Sequence, residues 1–467
     1  MAEMTKGFVV AGPASGVGKT TVTLALMAAL RRRGQVVQPY KCGPDFIDAG
    51  HHTRACGRRC RNLDGWMLAP EVNRSIFARN AEGADVAIVE GVMGLFDGVG
   101  GKSEEGSTAA MAKLLGLPVV LVVDASTAAR SVAALVHGFE TFDAQLPVCG
   151  VIFNKVAGPA HYDLLREAVE RSCRAVPLGY LPADQRIKIP ERYLGLFTAG
   201  EDLLPDASLD LLAGVLEEHV SLEEVRARAA SFAAAPAVAP PMPATSRVRV
   251  GVARDRAFCF YYEDNLDALR AAGAEIVEFS PLRDAKLPAR IDALYFGGGY
   301  PELYAGQLNA NREMMAAVRG FADAGGIIYA ECGGLMYLAQ KIVTREGAAF
   351  PMCGVLPFSV RMTDHLVNFG YATATLTQNG FLGPAGSSLR GHSFHCSNIV
   401  ESGPVDKSYQ VRYTLSKNEE AEGFRSRNVL ASYIHLHFLS CLGLAETFVE
   451  SVQHAQQTKL TMAADRC

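Results

Sequence analysis

A cysteine set in a glycine turn and a lysine set in a glycine-rich loop are the residues of this chain best placed to do chemistry. Cys332 stands in Gly325-Gly-Ile-Ile-Tyr-Ala-Glu-Cys-Gly-Gly-Leu-Met-Tyr-Leu, which reads as a strand, a sharp turn and a helix. Such an elbow exposes the thiol at the positive end of a helix, which is expected to lower its pKa and favour thiolate. Gly333 permits the tight turn and leaves a backbone N–H facing an oxyanion, an interaction worth about 3–4 kcal/mol. A thiol nucleophile needs a base, and Ser432-Tyr-Ile-His435-Leu-His437-Phe offers His435 if the fold returns it to Cys332. Phe296-Gly297-Gly298-Gly299-Tyr300-Pro301-Glu302 ends another strand, so Gly298 and Gly299 can add N–H donors.

The second constellation is Gly12-Pro-Ala-Ser15-Gly16-Val17-Gly18-Lys19-Thr20-Thr21, directly after a strand and opening a helix. Glycines let backbone N–H groups wrap a polyphosphate at the positive end of the helix. Lys19 can neutralise terminal phosphates, and the Thr20 hydroxyl can bind Mg2+. Five residues, not the usual four, separate Gly12 from Gly18. Val86-Ala-Ile-Val-Glu90 is an apolar strand ending in a carboxylate, which suits a direct or indirect Mg2+ ligand or a turn cap. Lys41-Cys-Gly-Pro-Asp45-Phe-Ile-Asp48 brings a cation and two acids to the same rim. Lys41 is a candidate for the transferring phosphoryl group and Asp45 for metal; solvated loop charges are the alternative. Asp48 and Asp97 are candidates for orienting substrate carboxylates or an activated intermediate, against a purely structural role.

The elements that must position these residues alternate in both halves. Short β-branched runs at Phe8–Ala11, Val36–Tyr40, Val86–Glu90, Val119–Asp124 and Val148–Asn154 enclose helix-like stretches such as Thr20–Arg33 and Thr127–Thr141. Val248–Val252, Glu275–Phe279, Ala293–Phe296 and Ile327–Ala330 repeat the habit. This alternation predicts an α/β protein of two domains, each a mostly parallel sheet with helices on both faces and chemistry at the carboxyl ends of strands. Ala and Pro dominate residues 229–246, where proline forbids a regular helix and small side chains bury little. The expected organisation is therefore a nucleotide domain over 1–228, a linker over 229–246, a thiol-dependent domain over 247–457 and a polar tail over 458–467. The polar character begins at Ser451, and fraying is expected from there.

A length of 467 residues calls for more than one core, and 49 % apolar with 20 % charged residues suits a well-packed soluble chain. The net charge of −4, with signs interspersed, argues against nucleic acid as a partner. Met1–Lys6 does not read as a signal peptide, and Leu114–Val123 is too short to span a bilayer, so no membrane role is expected. Eleven scattered cysteines suit a reducing cytoplasm. Cys42, Cys56 and Cys60 lie near His51 and His52, but the spacing lacks paired ligand motifs and reads as a thiol-rich segment rather than a metal site.

Residues Gly12 to Asp97 resemble the dethiobiotin synthetase-like P-loop group in the long glycine spacing, the lysine after the second strand and the strand-end Glu90-Gly91. That resemblance implies ATP-driven formation of an acyl phosphate and gives Asn154 a place near adenine. The second half resembles the class I glutamine amidotransferases of the cobalamin branch. Most triad enzymes of the class read His-x-Glu; here the third position is His437, consistent with the dyad of that branch. Gly391-His-Ser-Phe-His395-Cys-Ser397 is similar to the branch's Gly-His-Glu-Phe-His-Tyr-Ser, departing at Ser393 and Cys396, and implies that His395 lies near the glutamine site.

Together with Asn62-Leu-Asp64, Gly94-Leu-Phe-Asp97-Gly98 and Glu191-Arg-Tyr193-Leu-Gly-Leu196, these motifs resemble the cobyrinate a,c-diamide synthase family over nearly the full chain. Tyr193 departs from the histidine usual there. The resemblance implies a cobyrinate-type tetrapyrrole, L-glutamine and ATP as substrates, amidation of the c and then the a acetate, and by analogy a homodimer. Hydrogenobyrinate and nickel-sirohydrochlorin a,c-diamide synthases share almost the same motifs. A partitioning-type ATPase switch shares a deviant phosphate loop but needs no glutaminase. Ammonia released at one site must reach the other without becoming ammonium in bulk water, so an enclosed path between the sites is expected.

Overall fold

Seven short runs of the N-terminal half are largely buried strands, and the longer of them are mostly apolar on both faces, as a sheet covered by helices requires. They are β1 (Thr5–Ala11), β2 (Val37–Cys42), β3 (Arg61–Leu63), β4 (Val86–Glu90), β5 (Val119–Asp124), β6 (Val148–Val156) and β7 (Val176–Pro182). In this computed structural model the described residues are 4–187, 189, 191–192, 195–196, 205–234, 248–401 and 403–464. Tyr193, residues 235–246 of the Ala/Pro-rich stretch and residues 465–467 lie outside them. The chain divides into two compact units, Met1–Val238 and Ala239–Cys467.

The first sheet runs β3-β2-β4-β1-β5-β6-β7, all parallel. Helix α1 (Lys19–Arg32) and helix α2 (Ile47–Cys56) follow β1 and β2. After a two-residue pair, β8 (Glu191–Arg192) and β9 (Gly195–Leu196), the strand β10 (Ala230–Phe232) runs antiparallel to β1. These three residues fall inside the stretch read as linker. Phe232 explains the difference: its ring lies 4.8 Å from that of Phe77, and it packs so closely over Gly7 that a Cβ there would sit 2.8 Å from it.

The second unit departs from the mostly parallel sheet expected of it. Strands β11 (Val248–Ala253), β12 (Ala274–Phe279), β13 (Ala293–Phe296) and β14 (Ile327–Glu331) are parallel. A side sheet takes β15 (Lys341–Val343), β16 (Ala349–Pro351), β17 (Ser359–Met362) and, later, β20 (Ser397–Val400). The main sheet resumes with β18 (Asn368–Leu376), β19 (Ser388–His395), β21 (Asp406–Tyr413), β22 (Glu419–Ser426), β23 (Val429–Ser432) and β24 (Ile434–Leu436). Its order is β12-β11-β13-β14-β23-β22-β21-β18-β19-β24, parallel as far as β23 and antiparallel beyond. Parallel neighbours need long crossovers, so the short connections from β21 to β22 and from β22 to β23 leave those pairs only antiparallel.

Alternation along β13 splits the core: Leu294 and Phe296 face Met314, Leu335 and Tyr337, while Tyr295 faces Tyr329, Phe438 and Phe448. The last helix, Leu444–Ala464, continues through the segment expected to fray from Ser451. Phe448, Val449 and Val452 are buried at helical spacing, so packing outweighs the polar composition. Phe448→Ala is expected to cost about 3–5 kcal/mol, read from the midpoint of denaturant unfolding. Among the described residues no helix is long and apolar enough to cross a membrane.

Candidate active sites

The loop between β1 and α1 emerges at the carboxyl end of the first sheet, flanked by the ends of β4 and β5. Gly18 has φ 94°, and a Cβ there would lie 1.9 Å from the Asn154 amide nitrogen. That amide donates to the Val17 carbonyl at 2.9 Å and accepts from the Lys155 N–H at 3.0 Å. Asn154, expected beside adenine, thus braces the loop from the end of β6. Lys19 is buried and donates to the Ala14 carbonyl at 2.8 Å. Burial, and then the Lys41 charge, hold its pKa below the ordinary lysine value. Ser15 and Gly16 are exposed, whereas Thr20 and Thr21 are half-buried on the first turn of α1.

Lys41, Glu90, Asp48 and Asp45 converge beneath this loop. The Lys41 ammonium lies 2.7 Å from Asp48, 2.9 Å from Glu90 and 3.8 Å from Asp45. It is no solvated loop charge, because only 3 % of the side chain is exposed. Burial opposes its charge, but Asp48, Glu90 and Asp45 outweigh that and raise its pKa well above normal. Thr20 Oγ1 donates to Glu90 Oε1 at 2.7 Å. Burial would raise the Glu90 carboxyl, yet Lys41 and then His52 hold it below the usual range. Asp45 caps α2, its Oδ1 accepting from the Ile47 and Asp48 N–H groups at 2.9 Å each. Asp97 is exposed and accepts from the Gly94 N–H at 2.8 Å; its charge also acts on Lys19.

His52, read above only as part of a thiol-rich segment, is a buried partner of Glu90 at 2.6 Å, with Cys60 Sγ 3.7 Å from its other nitrogen. The signal available in the sequence was helical spacing, since Asp48 and His52 stand four apart on α2. Among the described residues the one trio with clustered metal-ligating atoms is elsewhere, at His137, Glu140 and Cys173.

In the second unit Cys332 follows β14 with φ 45° and ψ −97°, a strained conformation costing on the order of 1–3 kcal/mol. Its N–H donates to the Ser432 carbonyl at 2.7 Å, which ties the elbow to the strand leading to His435. A Cβ on Gly298 would lie 2.4 Å from His435 Cε1, and one on Gly333 would lie 3.0 Å from Gly299 N. These approaches gather the elbow, the glycine loop and the imidazole at one end of the sheet. Gly298 is corrected as an oxyanion donor: its N–H pairs with the Phe260 carbonyl at 3.2 Å, and its lack of a side chain makes room for His435. Gly299 and Gly333 remain side by side at the turn.

The expected lowering of the Cys332 pKa is also corrected. Burial, with Glu302 second, pushes the thiol up, and the following helix, Gly333–Leu338, has only six residues. Burial lowers the His435 pKa to about 3, with His395 contributing, so the imidazole is neutral at physiological pH and able to accept a proton. His435 stacks on His392 at 4.8 Å. His395 stacks on Tyr433 at 3.8 Å, and its Nδ1 lies 3.0 Å from the Ser397 carbonyl. Glu331, which the motif reading passed over, has Oε2 3.9 Å from His435 Nδ1. Its signal was its place one residue before the cysteine, on the strand face of Tyr329.

Residues 8–196 match the CobQ/CobB/MinD/ParA nucleotide binding domain, and residues 249–441 match the CobB/CobQ-like glutamine amidotransferase domain. A cobyrinate a,c-diamide synthase of Syntrophotalea carbinolica is 45 % identical over 95 % of this chain and 97 % of its own. Its counterpart from Salmonella typhimurium is 43 % identical over 94 % of this chain and 96 % of its own. That of Streptococcus sanguinis is 41 % identical over 96 % of this chain and its full length. At this identity and coverage, the chain belongs to the cobyrinate a,c-diamide synthase family.

Proposed function

We propose that this chain amidates the c and then the a acetate carboxylates of cobyrinate, consuming ATP and glutamine for each, in cobalamin biosynthesis. The observation that carries this reading is the presence, in one chain, of a phosphate loop over a Lys41–carboxylate cluster and a strained cysteine elbow gathered with a buried imidazole. A carboxylate resists attack by ammonia because its charge and resonance oppose a nucleophile. Transfer of a phosphoryl group to it supplies a leaving group, and Lys19 and Lys41 stabilise the charge in transit. The loop residues Gly12 to Thr21 hold the triphosphate, with Asn154 bracing Gly18.

Mg2+ fits the oxygen donors here, since Thr20 Oγ1 meets the Glu90 carboxylate and Glu90 and Asp45 both approach the cation Lys41. When bound, the ion neutralises the phosphates and polarises the one transferred. Asp48 and Asp97 orient the macrocycle's carboxylate at this rim. In the glutaminase site the Cys332 thiol attacks the glutamine side-chain amide, with His435 taking its proton and passing it to the departing ammonia. Gly299 and Gly333 face the oxyanion, and His395 lies at the glutamine pocket. The ten described cysteines are all free, which supports a cytoplasmic setting, and sedimentation of the purified chain tests the homodimer.

The decisive assay offers purified protein ATP and glutamine with cobyrinate, hydrogenobyrinate or nickel sirohydrochlorin and weighs the products. Diamide from cobyrinate, through a c-monoamide, is the expected result. Preference for either other macrocycle, or ATP turnover with no amide formed, overturns the reading.

A further inference from the structure

We propose that Glu331 is the positioning carboxylate of His435, filling from β14 the role that an acid two residues after the histidine would otherwise have. This rests on the glutaminase reading above. Glu331 Oε2 lies 3.9 Å from His435 Nδ1, and both side chains are only 2 % exposed. The carboxylate is held on both oxygens. Oε1 accepts from the Tyr329 hydroxyl at 2.7 Å and the Leu436 N–H at 3.1 Å, and Oε2 accepts from the Tyr295 hydroxyl at 3.0 Å. Leu436 is the chain neighbour of His435 on β24, so the acid grips the same backbone that carries the imidazole. Position 437 offers no carboxylate; its histidine ring lies 4.6 Å from the Tyr262 ring instead.

A spacing of 3.9 Å is longer than a hydrogen bond, so the contact is electrostatic. Its effect is directional. With Nδ1 turned toward Glu331, Nε2 is the nitrogen that takes the Sγ–H proton as the sulfur–carbon bond forms. That proton then goes to the leaving nitrogen as the carbon–nitrogen bond breaks, and water releases glutamate from the thioester. Glu331 gives up no proton; its charge stabilises the imidazolium that exists between the two transfers. Burial pushes its carboxyl up to about 7 against the opposing Tyr329, Tyr295 and Leu436 hydrogen bonds. The phenols of Tyr261 and Tyr409 and the Cys332 thiol are further titratable groups near it, and the Glu331 charge adds to the rise of that thiol. The charge, and with it the support of His435, is therefore present above neutrality and lost as pH falls.

Glu331→Gln in the full chain tests this. Glutamine hydrolysis should lose about 100-fold in kcat with KM little changed, while synthesis from free ammonia persists. The fall of kcat on the acidic side of neutrality should vanish. Glu331→Asp should recover part of kcat, and it supplies the same pH comparison if the glutamine variant does not fold. A folded Glu331→Gln enzyme with wild-type kcat and pH profile overturns the proposal. So does a loss that falls equally on ammonia-driven synthesis. Wild-type protein that hydrolyses glutamine but makes no diamide would sink the amidation reading alone, leaving Glu331 testable on hydrolysis.

Discussion

Cys332→Ser is expected to abolish glutamine-driven diamide formation, by on the order of 10³-fold or more, while synthesis from ammonium salts continues. The hydroxyl that replaces the thiol is the poorer nucleophile and far harder to ionise. Serine matches cysteine in shape, so the left-handed backbone at 332 and the Ser432 contact should survive. The measurement compares product from glutamine with product from ammonium chloride at saturating ATP and cobyrinate. A folded mutant that has also lost the ammonia-driven reaction would rule out separate centres for activation and nitrogen release.

Lys19→Ala has the complementary result: both nitrogen sources fail, again on the order of 10³-fold, because no acyl phosphate forms. Lys19 is buried against the Ala14 carbonyl with its pKa already lowered by burial and Lys41. Arriving phosphate gives this ammonium an anion to pair with directly, whereas alanine leaves Lys41 alone to meet the transferring charge. ADP release in the presence of cobyrinate should fall together with amide formation. An alanine variant that still makes diamide from ammonia would remove Lys19 from the phosphoryl transfer.

The first half was the more legible. Its strands β4 and β5 are nearly continuous apolar runs and match their expected bounds, because a fully covered parallel strand has no polar face to blur its ends. The second half was misread where chain order and spatial order separate. Beyond β23 the sheet turns antiparallel, and its spatial order no longer follows the order of the chain. The helix at Leu444–Ala464 was hidden by its polar residues, since a few buried apolar positions, Phe448, Val449 and Val452 among them, decide its fate.

At the sites, residue type announced the chemistry. Cys332 in its glycine elbow, His435, the loop from Gly12 to Thr21, and the acids Asp45, Asp48 and Glu90 all stand in local patterns that the chain alone displays. Their ionisation and partners did not follow from those patterns. The Cys332 thiol is raised by burial, Gly298 gives its N–H to Phe260, Lys41 sits among three carboxylates, and Glu331 reaches His435. Motifs are written in neighbouring residues, so sequence determines which functional groups are present and what turn carries each. Desolvation and pairing arise from residues distant along the chain, and only folding brings those together.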